Sequence, residues 1–322
     1  MTETPRRVAV GLVIGVLTAV LLGLAGVAVF SATVPRATSA NPLHEARFYV
    51  DPASSAALAA RRDPSFGPIG REPAAIWLTP EAHGASEVGG YVGGIVDAAR
   101  RGGEWPVFVV YGIPHRDCQA QESAGGTADD AAYRDWLRAI ARSLTAQTLV
   151  VVEPDALALT AECHDRSARV AQLRDAVGLL APTGAVVYLD AGHSGWLDPA
   201  LMAGLLRDAG VDRVRGFASN VSNFETTAAE RRYDEAISAA LGGAHYVIDT
   251  SRNGNGPAPD QAWCNPPGRG LGDPPRVVED RTHLDATLWV KNPGESDGAC
   301  NGGPAAGRWW PDGARALIAG GD

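Results

Sequence analysis

The sequence has no segment in which basic residues gather. Its 28 lysines and arginines are scattered, and 37 acidic residues outnumber them, which gives a net charge of −9 at pH 7. Proteins that bind nucleic acid usually carry a cationic face that neutralises phosphates. We therefore expect no nucleic-acid partner for this chain.

Cysteine is scarce, with four residues in 322, and neither a CxxC pair nor a histidine-rich run is present. Metal sites built from cysteine and histidine usually show such spacings, so the sequence predicts no metal site. No organic cofactor is implied. The chain also lacks an internal repeat and a low-complexity linker, and residues 41–322 are therefore predicted to form one domain.

Residues 1–40 are predicted to lie outside that domain. Arg6 and Arg7 precede 28 residues without a charge, and Val8 to Phe30 is almost wholly apolar. Such a run predicts a hydrophobic helix long enough to cross a bilayer as an N-terminal anchor. Thr38-Ser39-Ala40 instead resembles the cleavage site of a signal peptide, and both interpretations stay open. In either case we expect an exported protein, secreted or held at the outer face of the cytoplasmic membrane, with no other membrane contact.

Four cysteines in an exported chain are consistent with two disulfides, for which three pairings are possible. We favour Cys118 with Cys163, because each lies several residues beyond a strand that should neighbour the other. We also favour Cys264 with Cys300, which would join the loops that flank the last strand. Both bonds would stiffen the same edge of the domain.

Short apolar runs alternate with helical spacers along the domain. The runs predict eight strands, many of them typical of strands buried on both faces: Phe48 to Val50, Ala75 to Leu78, Val107 to Tyr111, Leu149 to Val152, Val186 to Leu189, Val214 to Ala218, Tyr246 to Ile248 and Thr287 to Val290. Helical periodicity marks spacers around Tyr133, Val170, Leu201 and Tyr233. Residues 251–285 are rich in glycine and proline and should be mostly irregular. This alternation predicts an α/β fold, a TIM-like β/α barrel.

Four aspartates, Asp117, Asp155, Asp190 and Asp297, lie within a few residues of the C-terminal ends of these runs. In a parallel barrel those ends share one rim, so the four acids should converge on one cleft. Cleaving a glycosidic bond needs one protonated carboxyl and a second carboxylate. Burial or a neighbouring carboxylate raises the pKa of the first so that it keeps its proton. The pattern predicts an acid-catalysed hydrolase.

Several longer motifs follow one another between residues 45 and 312. They are Phe48-Tyr49-Val50-Asp51-Pro52, Tyr111-x-x-Pro114-x-Arg116-Asp117-Cys118, Glu153-Pro154-Asp155, Asp190-Ala191-Gly192-His193, Trp196, Asn220-x-x-Asn223, Trp263-Cys264-Asn265-Pro266-Pro267-Gly268-Arg269 and Lys291-x-Pro293-Gly294-Glu295-Ser296-Asp297-Gly298. Together they resemble glycoside hydrolase family 6, the inverting cellulases. The resemblance implies hydrolysis of β-1,4-glucan on a distorted β/α barrel.

The resemblance also implies roles for five residues. Asp155 matches the general acid, and Asp117 matches the acid that raises its pKa. Asp297 matches the position proposed as the base, a role that is debated in the family and could run through a water chain. Tyr111 would press on the distorted sugar ring, and Ser123 falls where the family holds the attacking water.

Sugar binding is expected to use flat aromatic faces together with polar groups that bind hydroxyls. The resemblance assigns this role to Trp77, Asp190, His193, Trp196, Asn220, Trp263, Lys291 and Glu295. The expected partner is therefore a β-1,4-glucan polysaccharide or oligosaccharide, bound by a monomer.

Chain length bears on the mode of attack. The resemblance implies that chain-end enzymes of the family carry long loops over the cleft, whereas only about 280 residues follow the export segment here and the segments around Asp190 and Lys291 look short. An open cleft favours internal cutting, so we expect an endoglucanase. A chain-end cellobiohydrolase and a surface-anchored glucan-binding protein with little turnover are the alternatives.

Overall fold

A computed structural model describes residues 40–119 and 123–321. The predicted hydrophobic helix, and with it the choice between signal and anchor, lies outside the described residues. Within those two ranges no helix combines the length and the apolar character that a membrane span requires.

Strands and helices alternate along most of the described chain. The strands are β1 Ile76–Leu78, β2 Val107–Val110, β3 Leu149–Val152, β4 Val186–Asp190, β5 Gly216–Ser219, β6 His245–Asp249, β7 Arg276–Val277 and β8 Leu284–Leu288. The helices are α1 Ser55–Arg62, α2 Gly67–Gly70, α3 Val88–Gly102, α4 Asp130–Ala141, α5 Thr160–Cys163, α6 Arg166–Leu180, α7 Pro199–Ala209, α8 Thr227–Ala240 and α9 Pro311–Gly320. Single 3-10 turns cover Pro64–Phe66, Asp117–Gln119, Ala181–Thr183 and Val211–Arg213.

One sheet contains all eight strands, in the order β1-β2-β3-β4-β5-β6-β8-β7. Strands β1 to β6 and β8 pair in parallel, and β7 is antiparallel to β8. The sheet curls so far that the residue before β1 meets the residue after β8. The Ala75 N–H donates a 2.9 Å hydrogen bond to the Trp289 carbonyl there. The result is a curled, mostly parallel half-barrel.

One predicted strand is absent, and one observed strand was not predicted. Phe48 to Val50 is not a strand: Phe48 forms a single bridge with Trp105, and Asp51-Pro52 follows at once, where proline has no N–H to continue a ladder. The total of eight strands is reached through β7, Arg276–Val277, which lies in the stretch predicted to be mostly irregular. Its two residues are too few for hydrophobic periodicity to reveal.

Side chains alternate between the two faces of the sheet. Val107 and Val109 point to an inner cluster with Leu149, Val151 and Tyr188. Phe108, Val110, Val150 and Val152 point outward, where the helices cover them in the larger cluster. Burial on both faces explains why these strands read as continuous apolar runs.

The helices predicted from periodicity are present, and their apolar faces pack on the sheet. In α4, Tyr133, Trp136 and Leu137 are buried, and the Asp129 side chain caps the first turn by accepting from the Ala132 N–H. The periodicity did not reveal α3, whose sequence contains four glycines in its first half. A Cβ at Gly89 would come within 2.9 Å of the Ala139 carbonyl, so glycine permits the close approach of α3 to α4.

Candidate active site

The C-terminal ends of the parallel strands form one rim, and three of the four predicted acids meet there. Asp117 follows β2, Asp155 follows β3, and Asp190 ends β4. The Tyr111 hydroxyl donates to Asp117 Oδ1 at 3.4 Å, and the Asp155 N–H donates to Asp190 Oδ2 at 2.9 Å. Neighbouring strands thus bring together acids that are 38 and 35 residues apart in sequence.

Asp155 is the acid best placed to hold a proton. It adopts a left-handed backbone with φ of 69° immediately after Pro154. Burial raises the pKa of its carboxyl well above the ordinary range, and the charges of Asp190 and then Asp117 raise it further. A carboxyl in this setting stays protonated at pH values where an exposed aspartate is ionised.

Asp117 stands in a more mixed environment. Burial raises its pKa, while Arg116 and the Tyr111 hydroxyl act in the opposite direction. The Arg116 guanidinium lies 4.2 Å from the centre of the Tyr111 ring and donates to the Tyr111 carbonyl at 2.7 Å. Arg116 therefore fixes the segment between Tyr111 and Asp117.

Ser123 lies against the same group of residues. Its carbonyl accepts from Arg116 Nε at 2.8 Å, its N–H bonds to Asp117, and its side chain bonds to Tyr111. The hydroxyl predicted to hold water is therefore beside Tyr111 and Asp117.

Asp297 is the most strongly ionised of the four acids. Arg252 Nη1 reaches both of its oxygens, at 2.9 and 2.7 Å, Lys291 Nζ is 3.1 Å away, and the Asn265 N–H donates at 3.0 Å. Although burial alone would raise its pKa, Arg252 and Lys291 lower it to about 2. The carboxylate stays charged, but it is a weak base.

Buried acids at the strand ends fasten neighbouring loops. Glu153 accepts from the Gly112 and Ile113 N–H groups and from the Tyr133 hydroxyl. Asp249 accepts from four backbone N–H groups, those of Ser222, Ser251, Val290 and Lys291. The sequence prediction missed both acids, although each follows an apolar run in the way that Asp190 does.

Asp190 and Asn220 were predicted to bind substrate, and the structure places both as buried residues at the ends of β4 and β5. Asp190 is 2% exposed, and its Oδ2 also accepts from the Gly192 N–H at 2.9 Å. Asn220 is 0% exposed. Its amide donates to the carbonyls of Glu225 and Asp249 and accepts from the Glu225 N–H. Both side chains bind backbone groups of the neighbouring loops, and their assignment to substrate binding stays a prediction.

The predicted aromatic residues line the rim at different depths. Trp263 is 45% exposed. Trp77 is half-buried, donates to the Val290 carbonyl at 2.8 Å and meets the Tyr111 ring edge-on at 5.1 Å. Trp196 donates to Glu162 at 3.2 Å and lies 5.4 Å from the His193 ring. Burial lowers the pKa of His193 to about 4, which keeps its ring neutral.

Lys291 and Glu295 lie on the loop after β8. Besides Asp297, Lys291 Nζ contacts the Ser296 carbonyl at 3.3 Å. Glu295 accepts from the Ser55 hydroxyl at 2.6 Å and from the Asn292 amide at 3.3 Å, and burial raises its pKa. The two residues therefore carry opposite charges at one end of the rim.

Both predicted disulfides are present. Cys118 is bonded to Cys163 and Cys264 to Cys300, with Cα separations of 5.3 and 6.1 Å. The first fixes the residue after Asp117 to α5, and the second joins the loops that carry Trp263 and Asp297. In the described ranges no group of three or more histidine, cysteine or acidic residues is arranged to hold a metal ion.

Comparison with known proteins decides the family. The family model described as "Glycosyl hydrolases family 6" matches residues 41–320. The chain belongs to glycoside hydrolase family 6. Membership accounts for the ordered motifs, for the half-barrel and for the acids at its rim.

Individual relatives of this family 6 chain carry related names. It is 43% identical over 273 residues to Endoglucanase A of Cellulomonas fimi, covering 82% of this chain and 59% of that protein. It is 37% identical to Endoglucanase 1 of Streptomyces halstedii, covering 90% of this chain and 94% of that protein. The chain spans less than two thirds of the length of several curated relatives that it matches.

A solved family 6 structure has a similar fold. The endoglucanase Cel6 from Mycobacterium tuberculosis, in complex with methyl-cellobiosyl-4-deoxy-4-thio-β-D-cellobioside, superimposes with a TM-score of 0.83 at 47% identity. The match covers 87% of this chain and 99% of that one. That structure binds a cello-oligosaccharide analogue, as its name states.

Proposed function

We propose that this protein hydrolyses β-1,4-glucosidic bonds within cellulose or a related β-glucan, with inversion of the anomeric centre. Asp155 donates its proton to the leaving oxygen, and Asp117 helps to keep that proton in place. Tyr111 presses on the sugar ring at the point of cleavage, and Ser123 holds the attacking water. Endo-acting cleavage by this family 6 protein is the function that the site supports best.

The observation that carries the proposal is the environment of Asp155. Burial of its carboxyl and the charges of Asp190 and Asp117 all raise the pKa of Asp155 and favour its protonated form. Structural acids at this rim, such as Glu153 and Asp249, accept several hydrogen bonds each, whereas the part of Asp155 that is held is its backbone N–H. The proton of Asp155 is therefore available to a ligand.

Asp297 is the second acid of the proposal. An inverting mechanism needs room for water between the base and the sugar. Because Arg252 and Lys291 hold the pKa of Asp297 at about 2, direct abstraction of a proton by this carboxylate is disfavoured. We propose that it acts through water held near Ser123, with its charge stabilising the cationic sugar in the transition state.

A second candidate function is chain-end cleavage. The Aspergillus terreus protein named "Probable 1,4-beta-D-glucan cellobiohydrolase C" is 32% identical over 328 residues. Endo cleavage is favoured because the relatives with higher identity are named endoglucanases. A glucan-binding protein with little turnover is the third reading, and the presence of every expected acid speaks against it.

For the setting of the enzyme we propose export, with residues 1–40 serving as a signal or as an anchor. The uncharged N-terminal run and the two disulfides support this proposal. We propose a monomer whose contact with the membrane is limited to that segment.

Anomeric product analysis tests the proposed function. Cellohexaose should yield α-configured new reducing ends when products are followed by NMR before mutarotation. Carboxymethyl cellulose should lose viscosity faster than it gains reducing ends if cleavage is internal, and the reverse order would indicate chain-end attack. No cleavage between about pH 4 and pH 8 would leave glucan binding as the function.

A further inference from the structure

Glu225 lies on the loop between β5 and α8, next to the rim, and its backbone is held on both sides. Its N–H donates to Asn220 Oδ1 at 3.0 Å. Its carbonyl accepts from the amides of Asn220 and Asn253, each at 3.0 Å. Three hydrogen bonds therefore fix the position from which the side chain extends.

The Glu225 carboxylate has no hydrogen-bond donor among the described residues. Its side chain is 13% exposed, and the nearest group that could become positive is His193 Nδ1, 4.0 Å from Oε1. His193 Nδ1 accepts from the Gly195 N–H at 3.2 Å, and the ring is neutral because burial lowers its pKa to about 4. The carboxylate therefore gains no ion pair from His193.

Glycine at position 195 permits the carboxylate of Glu225 to approach this loop closely. A Cβ at Gly195 would lie 2.7 Å from Glu225 Oε1. Beneath it, Glu230 accepts from the Ser194 N–H at 2.9 Å and adds a second acid rather than a counter-charge. A largely buried carboxylate that lacks donors carries a desolvation cost, which hydroxyl donors from a ligand would offset.

A stacking surface stands beside Glu225. The His193 ring, 4.0 Å from the carboxylate, lies 5.4 Å from the Trp196 ring. Since His193 Nδ1 is an acceptor, Nε2 carries the proton and can donate. A pyranose ring lying on Trp196 would thus meet one donor and one acceptor at its edge, the combination that sugar hydroxyls need.

We propose that Glu225 accepts hydrogen bonds from hydroxyls of a glucosyl unit stacked on Trp196, and that its charge excludes units bearing anionic substituents. This proposal rests on the proposed function, because it assumes that the rim binds β-glucan. It makes Glu225 a specificity-determining residue of the His193 and Trp196 subsite. A charged acceptor strengthens a hydroxyl hydrogen bond and repels a carboxylate on the same sugar.

Direct binding tests the proposal independently of turnover. Calorimetry in the Asp155→Asn background, in which cleavage should be slow, would compare cellohexaose with its C6-oxidised, carboxylate-bearing counterpart on the parent protein and on three further variants. Glu225→Gln should weaken cellohexaose binding by about tenfold, because it removes charge-assisted bonds, and should narrow the preference for the neutral ligand. Glu225→Asp keeps the charge and should keep that preference while binding cellohexaose more weakly.

Glu235→Gln is the matched control. Glu235 lies on α8 and binds Tyr246 and His283, so the variant makes the same chemical change away from the subsite. It should leave both affinities unchanged. If Glu225→Gln binds both ligands as its parent protein does, with native circular dichroism, the proposal is overturned. A wild type that binds cellohexaose but never cleaves it would contradict the proposed function and leave this assignment standing.

Discussion

The Asp155 N–H donates a 2.9 Å hydrogen bond to the Asp190 carboxylate, which joins the ends of β3 and β4. The same bond places a second acid close to the Asp155 carboxyl. Asp190 is the larger of the two charge effects that raise the pKa of Asp155, and Asp117 is the smaller. The backbone position of Asp155 and the proton affinity of its carboxyl therefore both depend on the Asp190 side chain.

Asp190→Asn should shift the alkaline limb of the kcat/KM profile to lower pH, by about one unit. The amide oxygen can still accept from Asp155 and Gly192, but the negative charge is lost. Asp117→Asn should shift the limb in the same direction by less, and so should Asp117→Ala. The measurement is kcat/KM on cellohexaose from pH 4 to 9. A larger shift for Asp117 than for Asp190 would contradict the order of the two effects.

Asp155→Asn should reduce kcat on unactivated glucan by about 10²- to 10⁴-fold, because the amide has no acidic proton to donate. Cellohexaose affinity should change little, since the backbone N–H that fixes residue 155 is retained. Steady-state kinetics would test the expected loss of kcat, and calorimetry would test the expected retention of affinity. Undiminished turnover would remove Asp155 from the role of acid.

Arg252→Met should lower the free energy of unfolding by about 3 to 5 kcal/mol, because it leaves the buried Asp297 with only part of its positive surroundings. Arg252 and Asp297 are both almost fully buried. Arg315→Met, which breaks the exposed pair with Asp63, is the control and should have almost no effect. Urea unfolding of the two variants at pH 7 gives the comparison.

Stability should fall between about pH 4 and pH 7. The pKa values of Glu153, Asp190 and Glu230 rise from 4.5, 3.8 and 4.5 to about 7 on folding. Groups with a raised pKa stabilise the fold below their unfolded pKa, and this contribution is lost as pH rises through the folded value. Urea midpoints from pH 3 to 8 provide the measurement, and Glu230→Gln should flatten the decline.

The opposite behaviour is expected at lower pH. Asp297 has a pKa lowered from 3.8 to about 2, so its contribution is present above about pH 4 and is lost as the pH falls towards 2. The two effects place maximum stability near pH 4. A maximum at neutral pH would show that the buried acids are ionised at no cost.

Each disulfide should contribute up to about 4 kcal/mol, given sequence separations of 45 and 36 residues. Cys118→Ser with Cys163→Ser should also reduce activity, because the bond holds the residue next to Asp117. Mass analysis without reductant should find no free thiol, and unfolding of the two double variants would compare the bonds. Detection of four thiols would contradict both pairings.

Much of the fold was predictable because buried parallel strands leave a simple signature. The run Leu149 to Val152 was predicted with the bounds that the structure has. The bounds of β8 were misplaced: Thr287 to Val290 was expected and Leu284–Leu288 is observed, since Asp285 hides the start of that strand. Asp285 can be buried because it forms hydrogen bonds with Arg215, Tyr188 and His245. These partners are distant in sequence, so a local pattern does not reveal them.

The position of the acids at the strand ends was predictable, but their different environments were not. Strand-end position and family motifs marked Asp117, Asp155, Asp190 and Asp297 alike. Only three-dimensional contacts distinguish Asp155, which we propose as the proton donor, from Asp190, which binds backbone N–H groups, and from Asp297, which is bound by Arg252. Glu225 carries no strand-end signal at all, because five residues of loop separate it from the end of β5.

The acids that bind neighbouring loops also affect how this chain could be recombined with its relatives. Glu153, which follows β3, accepts from the Gly112 N–H in the loop after β2. Asp190, at the end of β4, accepts from the Asp155 N–H in the loop after β3. A chimaera with a crossover between residues 112 and 190 would inherit an acid from one parent and its backbone partner from the other. Crossovers placed in the helices before β2 or after β4 would transfer Tyr111 to Gly192 as a single exchangeable cassette.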